Sequence, residues 1–228
     1  MSSFWDKIYL NFIKEDRYMY LVNGLKNTLV ITLFAVIIGV ALGFLVAVIR
    51  STYSKTKKLW LLDKICGIYL TVVRGTPMMV QLLIMFYVIF ASSNNMMLVA
   101  VIAFGINSGA YVAEIVRSGI MAVDDGQFEA GRSLGFGYPQ TMWYIILPQA
   151  FKNVLPALAN EFIVLLKETS ICGYIGLTDL TRGGDIIRSR TYEAFLPLIG
   201  VALIYLIMVA GLSALVKTWE RRLRASDR

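Results

Sequence analysis

The sequence has no histidine, only two cysteines and few charged residues. Of its 228 residues, 57% are hydrophobic and 16% are charged. In soluble proteins, about a quarter of all residues are charged. The commonest metal ligand and proton shuttle is therefore missing, and the isolated Cys66 and Cys172 suggest neither a metal site nor a disulfide framework. No Gly-x-x-x-x-Gly-Lys motif occurs, so the chain has no phosphate-binding loop of its own. We expect no catalytic residues, no metal site and no cofactor bound by this chain.

Long apolar runs dominate the rest of the chain. Several approach or exceed the ~20 residues that a helix needs to cross ~30 Å of hydrocarbon. Most of the net charge of +7 lies beside these runs, where the positive-inside rule places it, so it does not indicate a nucleic-acid partner. The sequence predicts an all-α integral membrane protein of the cell (plasma) membrane, with residues 1–228 forming a single domain in the lipid bilayer.

Five transmembrane helices are predicted from the apolar runs. The second is broken at Arg74-Gly75-Thr76-Pro77, since proline cannot donate to a helix ladder and suits a first helical turn. Around the five-span core (25–216) we expect an interfacial helix in residues 1–24 and a cytosolic tail in residues 217–228. The predicted spans are residues 28–49, 59–91, 96–116, 145–166 and 194–216.

Small residues recur at every fourth position of the first predicted span. Ala35, Gly39, Gly43 and Ala47 share one helix face. Small side chains at this spacing let a neighbouring helix approach closely. Chance placement in a run rich in glycine and alanine is the alternative interpretation.

The loop charges predict the orientation of the chain. Residues 50–58 are basic with no acid, and the tail 217–228 is mainly basic. Because basic loops stay in the cytoplasm, we predict the N-terminus outside and the C-terminus in the cytoplasm. The loop 118–144 is predicted on the same side although its acidic residues outnumber its basic ones. We expect such a loop to be buried in a partner protein.

That polar loop carries a spaced motif. The residues Glu129-Ala130-Gly131 are followed after three residues by Gly135, after nine more by Ile145, and then by Leu147-Pro148. The motif resembles the EAA loop of ABC importer permeases, except that Gly131 stands where the pattern has alanine. A linker helix that only connects two spans is the alternative interpretation.

The resemblance covers nearly the whole chain. Residues 71–83, around Arg-Gly-Thr-Pro, and residues 160–170 resemble the second and fourth spans of permeases of polar amino-acid uptake ABC transporters. The resemblance implies a type I ABC importer permease fold and import of polar or basic amino acids. It also implies three partners: a dimer of ABC ATPase subunits that binds ATP and Mg, a second permease subunit, and an extracytoplasmic amino-acid-binding protein.

In that family the loop is a coupling helix that docks into a groove of the ATPase. We expect Glu129 near the start of this helix, where its carboxylate favours the positive end of the helix dipole. Gly135 and Gly137 are expected to end the helix with left-handed backbone angles. Ala130, Gly131 and Leu134 are expected to form the small, partly apolar face that fits the groove.

Intramembrane ionisable and polar residues are the candidates for a substrate path. Glu161 lies in the predicted fourth span, and a charged group there is costly unless it has a function or a partner. It is predicted to hold a substrate ammonium or guanidinium, with pairing to Arg74 or another buried polar group as the alternative. The other candidates, each of which suits a helix–helix hydrogen bond equally well, are Arg74, Thr76, Asn107, Ser108 and Asn160.

Two other function classes compete with this hypothesis. A secondary transporter or channel would usually show inverted repeats, and no clear repeat is found. A membrane enzyme would need a nucleophile–base pair or a metal set, and the sequence shows neither. The exact amino acid and the pairing of the permease, with itself or with a paralogue, are left open.

Overall fold

The structure is a computed structural model in which residues 3–225 are described, and these residues form helices without any strand. Residues 1–2 and 226–228, which belong to the predicted N-terminal helix and basic tail, lie outside the described part. The helices are α1 (Phe4–Ile8), α2 (Tyr18–Thr56), α3 (Trp60–Gly75), α4 (Met78–Ile84), α5 (Met96–Met121), α6 (Asp125–Ser133), α7 (Tyr138–Thr141), α8 (Leu147–Glu168), α9 (Leu180–Thr191) and α10 (Phe195–Ala225).

The helices reproduce the predicted spans in part. In the described residues, α2, α5 and α10 are long and apolar enough to cross a membrane, and α3 with α4 counts as a fourth span if the pair is one broken span. The break falls at Thr76 and Pro77, within the predicted segment 74–77, and Gly75 is still part of α3. The predicted fourth span corresponds to α8, which carries Lys152, Glu161 and Lys167 and is too polar to qualify by composition. The count of five spans therefore remains a prediction.

Two predicted boundaries are wrong. The interfacial helix 1–24 is much shorter, because Glu15 and Asp16 adopt positive φ angles and separate α1 and its following turns from α2. The loop 50–58 is mostly helical, since α2 continues to Thr56. Only residues 57–59 interrupt the chain before α3, and Lys57 and Leu59 also have positive φ. Tertiary contacts accompany this extension of α2, since Arg50 pairs with Asp63 and Lys55 pairs with Asp125.

The described residues fold as two units, and the first contains residues 3–36, 77–105 and 162–213. In it, α9 packs against the first half of α2 without space for side chains at Gly24 and Gly183. The buried carboxylate of Asp179 caps α9 by accepting hydrogen bonds from the Thr181 and Arg182 amides. Burial raises the pKa of Asp179. The Thr28 hydroxyl accepts a hydrogen bond from the Leu180 amide and fixes α9 to α2.

The second unit contains residues 37–76, 106–161 and, of the described C-terminal residues, 214–225. Here the second half of α2 packs closely on α5. A Cβ atom at Gly43 would lie 2.6 Å from the Val112 side chain, and one at Gly39 would lie 2.9 Å from Ser108 Oγ. The predicted close helix approach is therefore confirmed for these two glycines. It holds Ser108 in the interior of this unit, where that side chain is fully buried.

Candidate functional site

The polar loop contains the short helix α6, which begins earlier than predicted. Asp124 is its N-cap, and the Asp124 carboxylate accepts a hydrogen bond of 2.8 Å from the Gly126 amide. Aspartate is among the preferred N-cap residues because it satisfies an unpaired amide of the first turn. Glu129 therefore lies in the middle of α6 and not near its start, so the predicted interaction of Glu129 with the helix dipole is wrong. Asp125 occupies the first turn instead.

Of the two glycines predicted to end α6 with left-handed backbone angles, only one does so. Gly135 has a φ of +79°, and the Phe136 amide donates a hydrogen bond of 3.0 Å to the Gly131 carbonyl. This pattern is typical of a helix that ends in a left-handed glycine. Gly137 was predicted to act in the same way, but its φ is −71° and it is the N-cap of α7. Its amide donates to the Gln140 side chain, so it starts the next helix rather than ending α6.

Helix α6 has one face towards its own chain and one face exposed. Gly131 is buried against α7, where a Cβ atom would lie 2.6 Å from Thr141 Cγ2 and 2.7 Å from Thr141 Oγ1. Gly131 therefore does not belong to the exposed face, which corrects the predicted groove-fitting surface. Helical spacing explains this, since Gly131 follows the inward-facing Phe128 by three residues. The exposed face contains Gly126, Glu129, Ala130 and Ser133, and Leu134 is exposed next to it.

The end of α2 contacts α6 at its first turn and at Phe128. Lys55 Nζ lies 2.6 Å from an Asp125 carboxylate oxygen and 4.7 Å from the centre of the Phe128 ring. The Phe128 ring in turn stacks on Tyr138, with centroids 6.2 Å apart. The basic segment 50–58 thus neutralises part of the acidic loop within the same chain. Lys55 was not singled out from the sequence, because charge counting does not show which loops meet.

The second half of the motif connects α6 to the core of this unit. Ile145 and Leu147 are half-buried and pack against a cluster that includes the fully buried Ile146, whereas Pro148 is exposed. Ile145 lies in a π-helical turn, and α8 begins at Leu147. These residues anchor the loop to the helix that carries Glu161.

A second polar group lies within the predicted spans. Ser108 Oγ donates a hydrogen bond of 2.9 Å to the carboxylate of Glu161, which is half-buried. Asn107 is 3% exposed, whereas Asn160 is exposed beside Glu161. The structure therefore brings Ser108 and Glu161 together. The alternative interpretation gave Glu161 either Arg74 or another buried polar group as its partner, and in the structure the partner is the buried Ser108.

Arg74 belongs to a different cluster, centred on Glu114. An Arg74 guanidinium nitrogen lies 3.7 Å from a Glu114 carboxylate oxygen, and the guanidinium lies over the Tyr111 ring at 5.7 Å. Glu114 also contacts Arg117 at 3.2 Å and Arg50 at 4.0 Å. Within the described part of the chain, the open cleft of about 590 Å³ that Arg74 lines does not include Glu161 or the other path candidates. Thr76 is exposed and its hydroxyl donates to the Val72 carbonyl.

Comparison with known proteins identifies the family. The model of a family described as the inner membrane component of binding-protein-dependent transport systems matches residues 39–225. The chain belongs to this family. The match contains α6, the whole spaced motif and the Ser108–Glu161 pair.

Several relatives of this permease are also permeases. It is 39% identical over 91% of its length to the arginine transport system permease protein ArtQ of Bacillus subtilis (strain 168), of which it covers 94%. It is 33% identical over 90% of its length to the glutamine transport system permease protein GlnP of Escherichia coli (strain K12), of which it covers 93%. These matches confirm the predicted permease identity and indicate a membrane transport subunit rather than an ATPase.

Solved structures confirm the fold of the permease. A chain from a crystal structure of an amino acid ABC transporter with histidines has a TM-score of 0.83 at 45% identity, and the match covers 92% of the permease and 98% of that chain. A chain of the MetNI methionine ABC transporter in an inward-facing conformation has a TM-score of 0.80 at 20% identity, over 92% and 98%. The predicted type I importer permease fold is therefore correct.

Proposed function

We propose that this permease imports amino acids, preferably polar or basic ones, and that ATP hydrolysis in a separate ATPase subunit drives the import. Two of the permeases to which it is similar are named for arginine and glutamine transport. The structural relative at 45% identity is from an amino acid ABC transporter. The observation that carries the substrate class is the hydrogen-bonded Ser108–Glu161 pair in the predicted spans.

The Glu161 carboxylate is proposed to receive the cationic part of the substrate. In the described residues, its contact is the Ser108 hydroxyl, and no basic side chain forms an ion pair with it. An ionised carboxylate within a span is costly unless water, a partner charge or a ligand faces it. An ammonium or guanidinium group would supply the missing opposite charge. Asn107 and Asn160 offer amide groups that a zwitterion can share, and Arg74 and Thr76 remain candidates further along the path.

The exposed face of α6 is proposed to dock on the ATPase, which binds ATP and Mg. The support is the division of the helix into two faces. Gly131 and Phe128 are held by the chain itself, whereas Glu129 and Ala130 have no covering residues within the described part of the chain. A short rigid helix seated in a groove can transmit the rigid-body motion on which alternating access depends.

The remaining partners and the orientation are also proposals. An extracytoplasmic binding protein delivers the substrate, and a second permease subunit, either another copy or a paralogue, completes the path. The N-terminus lies outside and the C-terminus in the cytoplasm, as the basic segment 50–58 indicates. Because Cys66 and Cys172 are buried free thiols, single cysteines at the exposed positions 94 and 55 can be labelled separately. Labelling from outside should reach position 94 and not position 55, and the opposite pattern would reverse the orientation.

Uptake by reconstituted complexes tests the function itself. Proteoliposomes would contain the permease with its ATPase, the binding protein outside and ATP inside. We expect uptake of a basic or uncharged polar amino acid that stops when ATP is replaced by a non-hydrolysable analogue. Uptake that continues without hydrolysis, or that follows an ion gradient, would indicate the secondary transporter instead.

A further inference from the structure

A polar cleft of about 550 Å³ lies behind the coupling helix in the second unit. Its walls come from the ends of α2 and α5, the start of α3, the inner side of α6, and Tyr138 and Met142. Neither the proposed substrate path nor the proposed ATPase contact uses this cleft. The residues that line it and carry the argument are Arg50, Ser51, Lys55, Lys57, Asp63 and Arg117.

The lining has an excess of positive charge. Four basic side chains face two carboxylates in the cleft, those of Asp63 and Asp125. Asp63 accepts a hydrogen bond from Arg50, and Asp125 pairs with Lys55. The lining therefore carries two net positive charges. Glu114, which is not in the lining, lies 3.2 Å from Arg117 but is shared with Arg50 and Arg74. Lys57 lies 5.5 Å from the centre of the Tyr53 ring of its own segment.

Three buried donors in the cleft have no hydrogen-bond partner in the described part of the chain. These are Ser51 Oγ, Arg117 Nε and the Tyr138 hydroxyl. Ser51 is only 5% exposed, so bulk solvent does not readily supply the missing bond. A buried donor without an acceptor costs about 1–3 kcal/mol, and native structures rarely keep such groups unless a water molecule, an ion or a ligand occupies the site.

We propose that this cleft binds the phosphate group of an anionic phospholipid headgroup. A phosphodiester carries one negative charge, which the positive excess of the lining attracts, and its oxygens accept from hydroxyl, ammonium and guanidinium donors. The cleft lies at the ends of α2 and α5, and the proposed orientation, on which this inference rests, places these ends in the cytoplasm. Basic pockets between helices on that side are suited to anionic lipid headgroups. The exposed apolar side chain of Met121 at the rim suits the start of an acyl chain.

The position of the cleft also suggests how a bound lipid would affect the proposed contact between α6 and the ATPase. Lys55 contacts both Asp125 and Phe128, which lie three residues apart on α6. A phosphate group in the cleft would compete with Asp125 for Lys55. The bound headgroup would therefore act on the inner side of the same helix whose outer side is proposed to meet the ATPase.

Lipid retention by the purified complex tests the proposal. The permease with its ATPase would be extracted from nanodiscs that contain phosphatidylcholine and phosphatidylglycerol in equal amounts, and the retained lipids would be counted by native mass spectrometry. We expect the wild type to retain phosphatidylglycerol preferentially. Lys57→Met should lower this preference at least tenfold, since it removes a charged hydrogen bond to the bound phosphate, and Ser51→Ala should lower it by a smaller factor.

A matched control and a competitor make the outcome decisive. Lys58→Met removes the same charge from the same loop, but Lys58 does not line the cleft, so this variant should behave as the wild type. Inorganic phosphate should not displace the lipid. If phosphate alone saturates the cleft and phosphatidylglycerol shows no preference, the source is free phosphate and the lipid assignment is overturned. Equal retention by the wild type and Lys57→Met, or cross-linking of Lys57 to an acidic residue of the ATPase, would also overturn it. Labelling at positions 94 and 55 tests the orientation independently.

Discussion

The Ser108–Glu161 pair and helix α6, which is proposed to dock on the ATPase, differ in what their own chain provides. Glu161 accepts a hydrogen bond from a buried hydroxyl, so its carboxylate is oriented before any ligand arrives. Glu129 on α6 is exposed, and the contacts of α6 with its own chain are on the opposite face. A preoriented carboxylate suits a small ligand that binds and leaves, whereas an exposed face on a fixed helix suits a protein partner. Substitutions in the two regions should therefore have separable effects.

The largest effect is expected from Gly131→Ala. The new Cβ atom would meet Thr141 at 2.6 Å, and overpacking of this kind costs about 1–3 kcal/mol and shifts the backbone. We expect α6 to move away from α7 and substrate-stimulated ATPase activity to fall at least tenfold. Gly137→Ala is the matched control, because its Cβ atom would have only ordinary contacts at 3.7 Å and its φ is negative.

A second-site change checks the cause of this loss. Thr141→Ala removes both atoms that clash most closely with the new Cβ atom. The double variant Gly131→Ala with Thr141→Ala should recover part of the stimulated ATPase activity. If the double variant is no better than Gly131→Ala alone, the contact with Thr141 is not what requires glycine here.

The sequence was sufficient to locate the motif and its helix, but not to predict which residues of α6 are buried and which are exposed. The spacing located α6 and the glycine that ends it, and the apolar runs located α2, α5 and α10. The role of Gly131 depends on Thr141, which is ten residues away and is brought close by two turns. The N-cap Asp124 could have been recognised from its residue type, which would have placed Glu129 correctly. The Glu114 cluster depends on three helices meeting, which no local pattern encodes.

A smaller effect is expected from Glu129→Ala. This change leaves the inner contacts of α6 intact and removes one charged group from the proposed docking face. Interface anchors of this kind are worth about 1–2 kcal/mol, so ATPase association should weaken roughly tenfold while membrane insertion stays normal. Co-purification of the ATPase across a salt series measures this, and Glu129→Gln separates the charge from the size of the side chain. Unchanged association for both variants would make α6 a linker.

The smallest effect is expected from Asp124→Ala. The substitution removes the cap of α6, which is worth about 1 kcal/mol, but it changes neither of the two faces. Stimulated ATPase activity should fall only about twofold to fivefold, in line with partial fraying of the first turn. Asp124→Asn should restore it, since asparagine caps as well as aspartate. A loss as large as that of Gly131→Ala would mean that Asp124 itself contacts the partner.

The most direct test compares Glu161→Gln and Glu129→Ala in the same proteoliposomes, with uptake of several amino acids and ATPase activity measured together. Glutamine keeps the size and the hydrogen bond with Ser108 but removes the charge that a cationic substrate would meet, a change worth about 1.5–3 kcal/mol for a charged hydrogen bond. We expect Glu161→Gln to lose uptake of basic amino acids at least tenfold while uptake of neutral polar ones and ATPase association are kept. We expect Glu129→Ala to lower uptake of all substrates equally. An unchanged substrate profile in Glu161→Gln, or equal losses for all substrates in both variants, would contradict the assignment of these two glutamates to separate tasks.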